Sequence, residues 1–361
     1  MSEPIRVLVV DDSALMRKLI PQMLERDSSI QVVGTAMDGE FALAKLEELK
    51  PHVITLDLEM PRMDGIETLR EIRKHRIPVI VVSAHTTSGA SATFKALAMG
   101  ALDFVAKPTD AASKRMEEIA SELISKIKIA AHGEVGTAPQ VSELRRPLKG
   151  PRPRVAPSRV VAIGSSTGGP NTLHYVLSKL PADFAGSILI VQHMPEGFTE
   201  MFARRLDDCC AIEVKEALSG DMLVAGRALI CPGNRHMKVR RMPLGDVVVL
   251  TDEPRVNGHR PSVDVLFRSV AHEFGQKSLA VLMTGMGEDG ADAMSAVKAA
   301  GGMTMAQNAE SCVVYGMPKA AIERGHVSRV LSLDELVLAL QAQCGAVQRP
   351  GRIGLAAQAA I

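Results

Sequence analysis

The sequence has no tryptophan, two tyrosines and eight phenylalanines. Any core must therefore be aliphatic, built from Val, Ile, Leu, Ala and 19 methionines. That suits parallel α/β sheets, whose strands are near-continuous apolar runs. An excess of one charge is also missing. Lys and Arg number 42 against 41 Asp and Glu, a formal net charge of +1. No whole-protein field steers such a chain to nucleic acid. The five cysteines (Cys209, Cys210, Cys231, Cys312, Cys344) are odd in number and form no CxxC pair. That argues against a disulfide framework or a zinc site and fits a reducing, cytoplasmic setting. No stretch approaches about 18 uninterrupted apolar residues, so no membrane insertion is expected. The N-terminus carries no signal-peptide pattern. With 361 residues, two or three domains are expected.

What is present begins with five βα units in a row. Strands are predicted at Ile5–Val10, Gln31–Ala36, His52–Leu56, Pro78–Val82 and Leu102–Ala106. Helices are predicted at Ala14–Arg26, at Asp38–Leu49, from Gly65 to Lys74, near Ser91–Met99 and at Asp110–Ile129. A parallel sheet with right-handed crossovers follows. Asp11, Asp12, Asp57, Ser83 and Lys107 all fall at strand C-terminal ends, where open α/β sheets bind ligands. Three converging carboxylates repel unless a hard cation joins them, and Mg²⁺ suits one or two carboxylates plus a phosphate. Singly, each of these residues is equally well a helix cap. Together they fit acceptance of a phosphoryl group by an aspartate. The motifs VVDDS, LDLEMPRMDG, VVSA and FVAKP resemble those of response-regulator receiver domains, over about residues 4–125. The resemblance implies a flavodoxin-like (βα)5 fold, Asp57 as phospho-acceptor, and Mg²⁺ among Asp11, Asp12 and Asp57. It also implies phosphoryl contacts from Ser83 and Lys107, and an aromatic switch at Phe104, a position that ordinary core packing would fill equally well.

Residues 126–158 lack any period. They carry Pro139, Pro147, Pro151, Pro153 and Pro157 with Arg145, Arg146, Lys149, Arg152 and Arg154. This reads as an extended, semi-stiff connector. A docking strip for an acidic partner is the sharper alternative. No aromatic residues interleave to stack on bases.

Residues 159–347 are again mostly parallel α/β, and residues 348–361 are read as a tail. The apolar run Val160–Ile163 ends in Gly164-Ser165-Ser166-Thr167-Gly168-Gly169, and Pro170 opens a helix. Such a turn is either an anion-binding loop, a turn exposing a serine nucleophile, or a plain glycine-rich connection. Strands are predicted at Ser187–Val191, Ile212–Ala217, Gly226–Cys231, Val247–Leu250, Leu279–Met283 and Met303–Ala306. Helices are predicted at Gly197–Leu206 and Ser262–Phe274, from Gly290 to Ala300, and at Gly316–Arg324. The strand ends then carry Ser166, His193 and Asp289 in order. A hydroxyl attacks only if a base takes its proton, imidazole suits that base, and a carboxylate would orient the imidazole. Amides near Thr167 and Met286 are candidate oxyanion donors. Ser165 is a rival nucleophile, His236 and His259 are rival bases, and Glu288 and Asp292 are rival acids. The chain order Ser–His–Asp differs from the α/β-hydrolase order and favours a Rossmann-like three-layer domain.

AIGSSTGGP, QHMPEGFTEMFARRL, HRPSVDVLF, TGMGEDGA and QNAESCVVYGMP resemble the catalytic domain of chemotaxis protein-glutamate methylesterases, the CheB family, over about residues 158–345. The resemblance implies Ser166 as nucleophile, His193 as base, Asp289 as its partner and the Met286 amide as an oxyanion contact. It implies hydrolysis of γ-glutamyl methyl esters, and deamidation of glutamines, on methyl-accepting chemoreceptors, with no cofactor for the esterase chemistry. It also implies a chemotaxis-type sensor histidine kinase as partner. An intact phospho-acceptor set and triad in one chain lead to the expectation that the unphosphorylated receiver partly covers the esterase cleft. Two rival classes make different demands. A DNA-binding response regulator needs a basic output domain with a helix-turn-helix. A nucleotide-dependent enzyme needs a GK[ST] ending or a ribose-binding acid.

Overall fold

A computed structural model describes residues 3–84, 86–107, 113–131 and 155–347. Arg145, Arg146, Lys149, Arg152 and Arg154 of the connector and all its prolines except Pro157 lie outside them, as do Pro108 and the tail, whereas residues 126–131, expected to begin the connector, belong to the helix Ser113–Ala131.

The N-terminal sheet alternates strictly: β1 (Ile5–Val10), α1 (Met16–Leu24), β2 (Ile30–Ala36), α2 (Gly39–Leu49), β3 (Val53–Leu56), α3 (Gly65–Ile72), β4 (Val79–Ser83), α4 (Thr87–Ala98), β5 (Asp103–Ala106) and α5 (Ser113–Ala131). Its order is β2-β1-β3-β4-β5, with every pairing parallel. Helices α1 and α5 pack on one face, and α2, α3 and α4 on the other. Helix α4 begins earlier than periodicity indicated, because the Thr86 hydroxyl caps it by accepting from the Gly89 N–H.

The C-terminal part contains β6 (Val160–Ser165), α6 (Gly169–Ser178), β7 (Ser187–Gln192), α7 (Phe198–Cys209), β8 (Glu213–Glu216), β9 (Arg227–Ile230), β10 (His236–Arg240), β11 (Val247–Thr251), α8 (Val263–Phe274), β12 (Ser278–Leu282), α9 (Ala293–Ala299), β13 (Met303–Gln307), α10 (Met317–Glu323), β14 (Arg329–Leu331) and α11 (Leu333–Cys344). Seven strands form one parallel sheet, β14-β13-β12-β6-β7-β9-β8. Alternate residues of β6 feed opposite cores: Val161 and Ile163 pack with α6, α7 and α11, whereas Val160 and Ala162 pack with α8, α9 and α10. This is a three-layer, doubly wound domain. The chain leaves β6 toward β7 on one side and later returns to β12 on the other. The rim between β6 and β12 is therefore the topological switch point.

Three expectations need correction. The Val247–Leu250 segment is not in the parallel sheet; β11 pairs antiparallel with β10 in a separate ribbon. Asp289 is not at a strand end but in the long turn between β12 and α9. The elements β14 and α11 close the domain beyond the last predicted helix; Ser332 and Glu335 form a capping box that starts α11.

The two parts share one apolar cluster. Phe94 of α4 stacks on Phe202 of α7 at 5.4 Å between centroids, and Phe104 of β5 meets Phe198 at 4.8 Å. Asn171 Nδ2 donates across the contact to the Leu97 carbonyl at 2.8 Å.

Candidate active site

Parallel pairing sets Ser165 beside Gln192, so Ser166 and His193 leave adjacent strands at the same rim. The two exits are tied together. The His193 N–H donates to the Ser165 carbonyl at 3.0 Å. The Gln192 side chain accepts from Ser165 Oγ at 2.7 Å and donates to the Ser166 carbonyl at 2.9 Å. Ser165 is thus a buried brace rather than an exposed hydroxyl, whereas Ser166 is half-buried at the opening. Gly285 shows how tight the turn is: a Cβ there would lie 2.9 Å from Ser166 Cβ and 2.3 Å from Met317 Sδ.

His193 Nε2 lies 2.9 Å from Asp289 Oδ2. The other ring nitrogen, Nδ1, is buried with no partner among the described residues. Asp289 itself is buried at the N-terminus of α8. It accepts from the Val263 amide at 2.7 Å, Ser262 Oγ at 2.8 Å, Asn257 Nδ2 at 2.9 Å and the Asp264 amide at 3.3 Å. Burial opposes its charge, but the His193 hydrogen bond and charge, with the Val263 and Ser262 donors, hold its carboxyl well below the ordinary range.

The rivals separate by their partners. His236 is fully buried; it accepts from the Ser262 N–H at 3.2 Å and its other nitrogen meets the Pro254 carbonyl at 3.1 Å. It supports the start of α8. Glu288 is exposed and pairs with Arg324, as does Asp292 at 3.1 Å. His259 stacks flat on His193, with centroids 3.9 Å apart and planes at 10°. Burial, then the neighbouring His193, pushes its pKa down to about 4, so it is neutral at pH 7. No sequence spacing signalled this stack.

Ser166, Thr167, His193, Met286 and His259 line one cleft of about 730 Å³. The Ser166 amide is committed to the Thr284 carbonyl at 3.0 Å. Those of Thr167 and Met286 have no acceptor among the described residues. The opposite wall comes from the N-terminal part: Lys107 and the α5 residues Glu117, Glu118 and Glu122.

Behind that wall, one carboxylate oxygen from each of Asp11, Asp12 and Asp57 lies within 4.8 Å of the others. Lys107 Nζ is 2.7 Å from Asp57 Oδ2 and 2.9 Å from Asp11 Oδ2, the latter outside hydrogen-bonding geometry. Burial raises the Asp57 pKa, against the pull of Lys107. Three acid groups with one cation, and a buried Asp11 oxygen without a hydrogen bond, fit a divalent ion. Ser83 Oγ is buried and donates to the Gly89 carbonyl at 3.2 Å. Phe104 is buried against Phe198, which makes it part of the contact between the two halves.

The chain matches the family model for CheB methylesterase over residues 161–340 and that for the response regulator receiver domain over residues 7–119. It is 65% identical to "Protein-glutamate methylesterase/protein-glutamine glutaminase 2" of Koribacter versatilis, over 95% of this chain and 97% of that one. It is 46% identical to "Protein-glutamate methylesterase/protein-glutamine glutaminase" of Symbiobacterium thermophilum, over 95% and 98%. The CheB methylesterase catalytic domain of Thermotoga maritima superposes with a TM-score of 0.50 at 39% identity, covering 52% of this chain and 98% of that one. With a receiver-type sheet, a doubly wound second sheet and relatives matched along nearly their whole length, the chain belongs to the CheB family of protein-glutamate methylesterases/protein-glutamine glutaminases.

Proposed function

We propose that this protein is a phosphorylation-regulated serine esterase that hydrolyses γ-glutamyl methyl esters, and deamidates selected glutamines, on chemoreceptors. One observation carries the reading: Asp289 grips His193 through Nε2, Nδ1 has no partner among the described residues, and His193 and Ser166 line one cleft. Ser166 Oγ attacks the γ-carbonyl carbon and its proton passes to His193 Nδ1. Thr167 and Met286 amides donate to the oxyanion. The tetrahedral intermediate collapses, and His193 returns the proton to the leaving methoxide or amide nitrogen. Methanol or ammonia departs, leaving an ester on Ser166. Water, deprotonated by the same imidazole, then releases the glutamate and restores the hydroxyl. Asp289 keeps its charge and steadies the imidazolium. His259, held neutral, adds no second positive charge beside it.

Asp57 accepts the phosphoryl group from a sensor histidine kinase. Mg²⁺ held by Asp11, Asp12 and Asp57 would neutralise charge at that transfer. Lys107 is the physical link, since it grips Asp57 and Asp11 and also lines the esterase cleft. A phosphoryl group on Asp57 re-partners Lys107 and shifts the population toward a form with α5 away from the cleft.

A fluorophosphonate probe tests the nucleophile. We expect one adduct, on Ser166, lost in Ser166→Ala and strongly slowed in His193→Gln. Labelling at Ser165 instead contradicts the assignment.

A further inference from the structure

The cleft wall facing Ser166 is one face of α5. Glu118, Ser121, Glu122 and Ser125 recur at helical spacing along it and line the same cavity as His193. An acidic helix face therefore occupies the mouth. On the catalytic side, the guanidinium groups lining the cleft are those of Arg260 and Arg255. Arg260 is spent internally: it donates to Asn234 Oδ1 at 2.7 Å and to the Asp252 carbonyl at 2.9 Å. Arg255 is not. Its Nη1 reaches the Gly258 carbonyl at 3.3 Å, and its Nη2 reaches Glu118 Oε2 at 3.0 Å, its one carboxylate among the described residues. Arg255 sits on the loop that also supplies His259, the residue stacked on His193. By contrast, Glu122 is held within α5 by Lys126 at 2.7 Å.

We propose that Arg255 is a specificity-determining residue that binds a carboxylate on the substrate helix beside the target ester, and that Glu118 fills this position as a pseudosubstrate. The proposal rests on the methylesterase reading above. A half-exposed ion pair contributes little as a mere strut between two domains. A guanidinium that exchanges one carboxylate for another loses nothing when α5 departs, and it gives the acidic substrate a preference over a neutral one.

The test uses the full-length protein with and without acetyl phosphate. The substrates are two helical receptor segments bearing one γ-glutamyl methyl ester, flanked one turn away by Glu or by Gln. Methanol release is followed for wild type, Arg255→Gln, Arg255→Lys and Glu118→Gln. With phosphodonor, Arg255→Gln should raise KM for the Glu-flanked segment about fivefold with kcat retained, and leave the Gln-flanked segment unchanged. Arg255→Lys should recover part of the loss. Glu118→Gln should raise activity without phosphodonor and leave the stimulated KM alone. If Arg255→Gln merely mimics Glu118→Gln, with no change in KM, the pair is only a strut and the proposal falls. Equal loss of kcat on both segments also overturns it, because the loop rather than the contact has then failed. A wild type inactive on both segments while its fluorophosphonate adduct forms on Ser166 overturns the glutamyl-ester reading, and the proposal with it.

Discussion

Asp289 is buried and yet charged because five donors converge on it, from His193, Val263, Ser262, Asn257 and Asp264. Asp289→Asn turns one of those acceptors into a donor and lets the imidazole choose the wrong tautomer. We expect kcat to fall by about 10³–10⁴-fold with KM little changed, measured by methanol release. Because the folded pKa is depressed, the carboxylate's contribution to stability is present above the unfolded carboxyl pKa and is lost as pH falls below it. His259 acts on the same side for the opposite reason. Its folded pKa of about 4 lies below the ordinary imidazole value of about 6.5, so the unfolded chain binds a proton that the folded one refuses. Unfolding free energy should therefore drop as pH falls from about 6.5 to about 4, by up to about 1.4 kcal/mol per pH unit. His259→Gln should flatten that slope in denaturant titrations. Gly285→Ala drives a methyl into Ser166 and Met317; a loss of about 1–3 kcal/mol in stability, with more than about tenfold in kcat, is expected. The shared rim position of Ser166 and His193 was legible in the sequence because each lies within three residues of the end of a buried apolar run. His236 and His259 were not separable by spacing, since only the fold shows that one accepts from the Ser262 N–H at the start of α8 and the other stacks on His193.

Elements carrying a continuous apolar run were legible, and those defined by pairing were not. The run at β11 reads like any buried strand, but nothing local says that its neighbour is β10 in antiparallel register rather than a strand of the parallel sheet. The start of helix α4 is hidden from periodicity because its first turn is polar and is set by the Thr86 cap. That helix matters, since Phe94 on it stacks on Phe202 of α7. Phe94→Leu removes the stacking, worth about 0.5–1.5 kcal/mol, while keeping an apolar side chain. If the α4–α7 contact holds α5 over the cleft, basal activity should rise by about two- to tenfold, with phosphodonor-stimulated activity unchanged. Equal basal rates in mutant and wild type would mean the contact is not part of the latch.

Two α/β sheets meet so that Lys107, which pairs with Asp57, and α5 line the same cleft as Ser166. The order of the two domains could be read from the motifs, but this apposition could not, because it depends on Phe104, Phe198, Asn171 and Leu97 meeting across the halves. On the proposed reading, both halves act as one switch, in which phosphorylation of Asp57 opens the Ser166 cleft that α5 lines. The direct measurement is methanol release from methylated receptor membranes by wild type, Ser166→Ala and Asp57→Asn, each with and without a small phosphodonor. We expect phosphodonor to stimulate wild type, Ser166→Ala to be inactive under both conditions, and Asp57→Asn to remain at the unstimulated rate. Stimulation of Asp57→Asn equal to that of wild type, or methanol release by Ser166→Ala, would contradict the account.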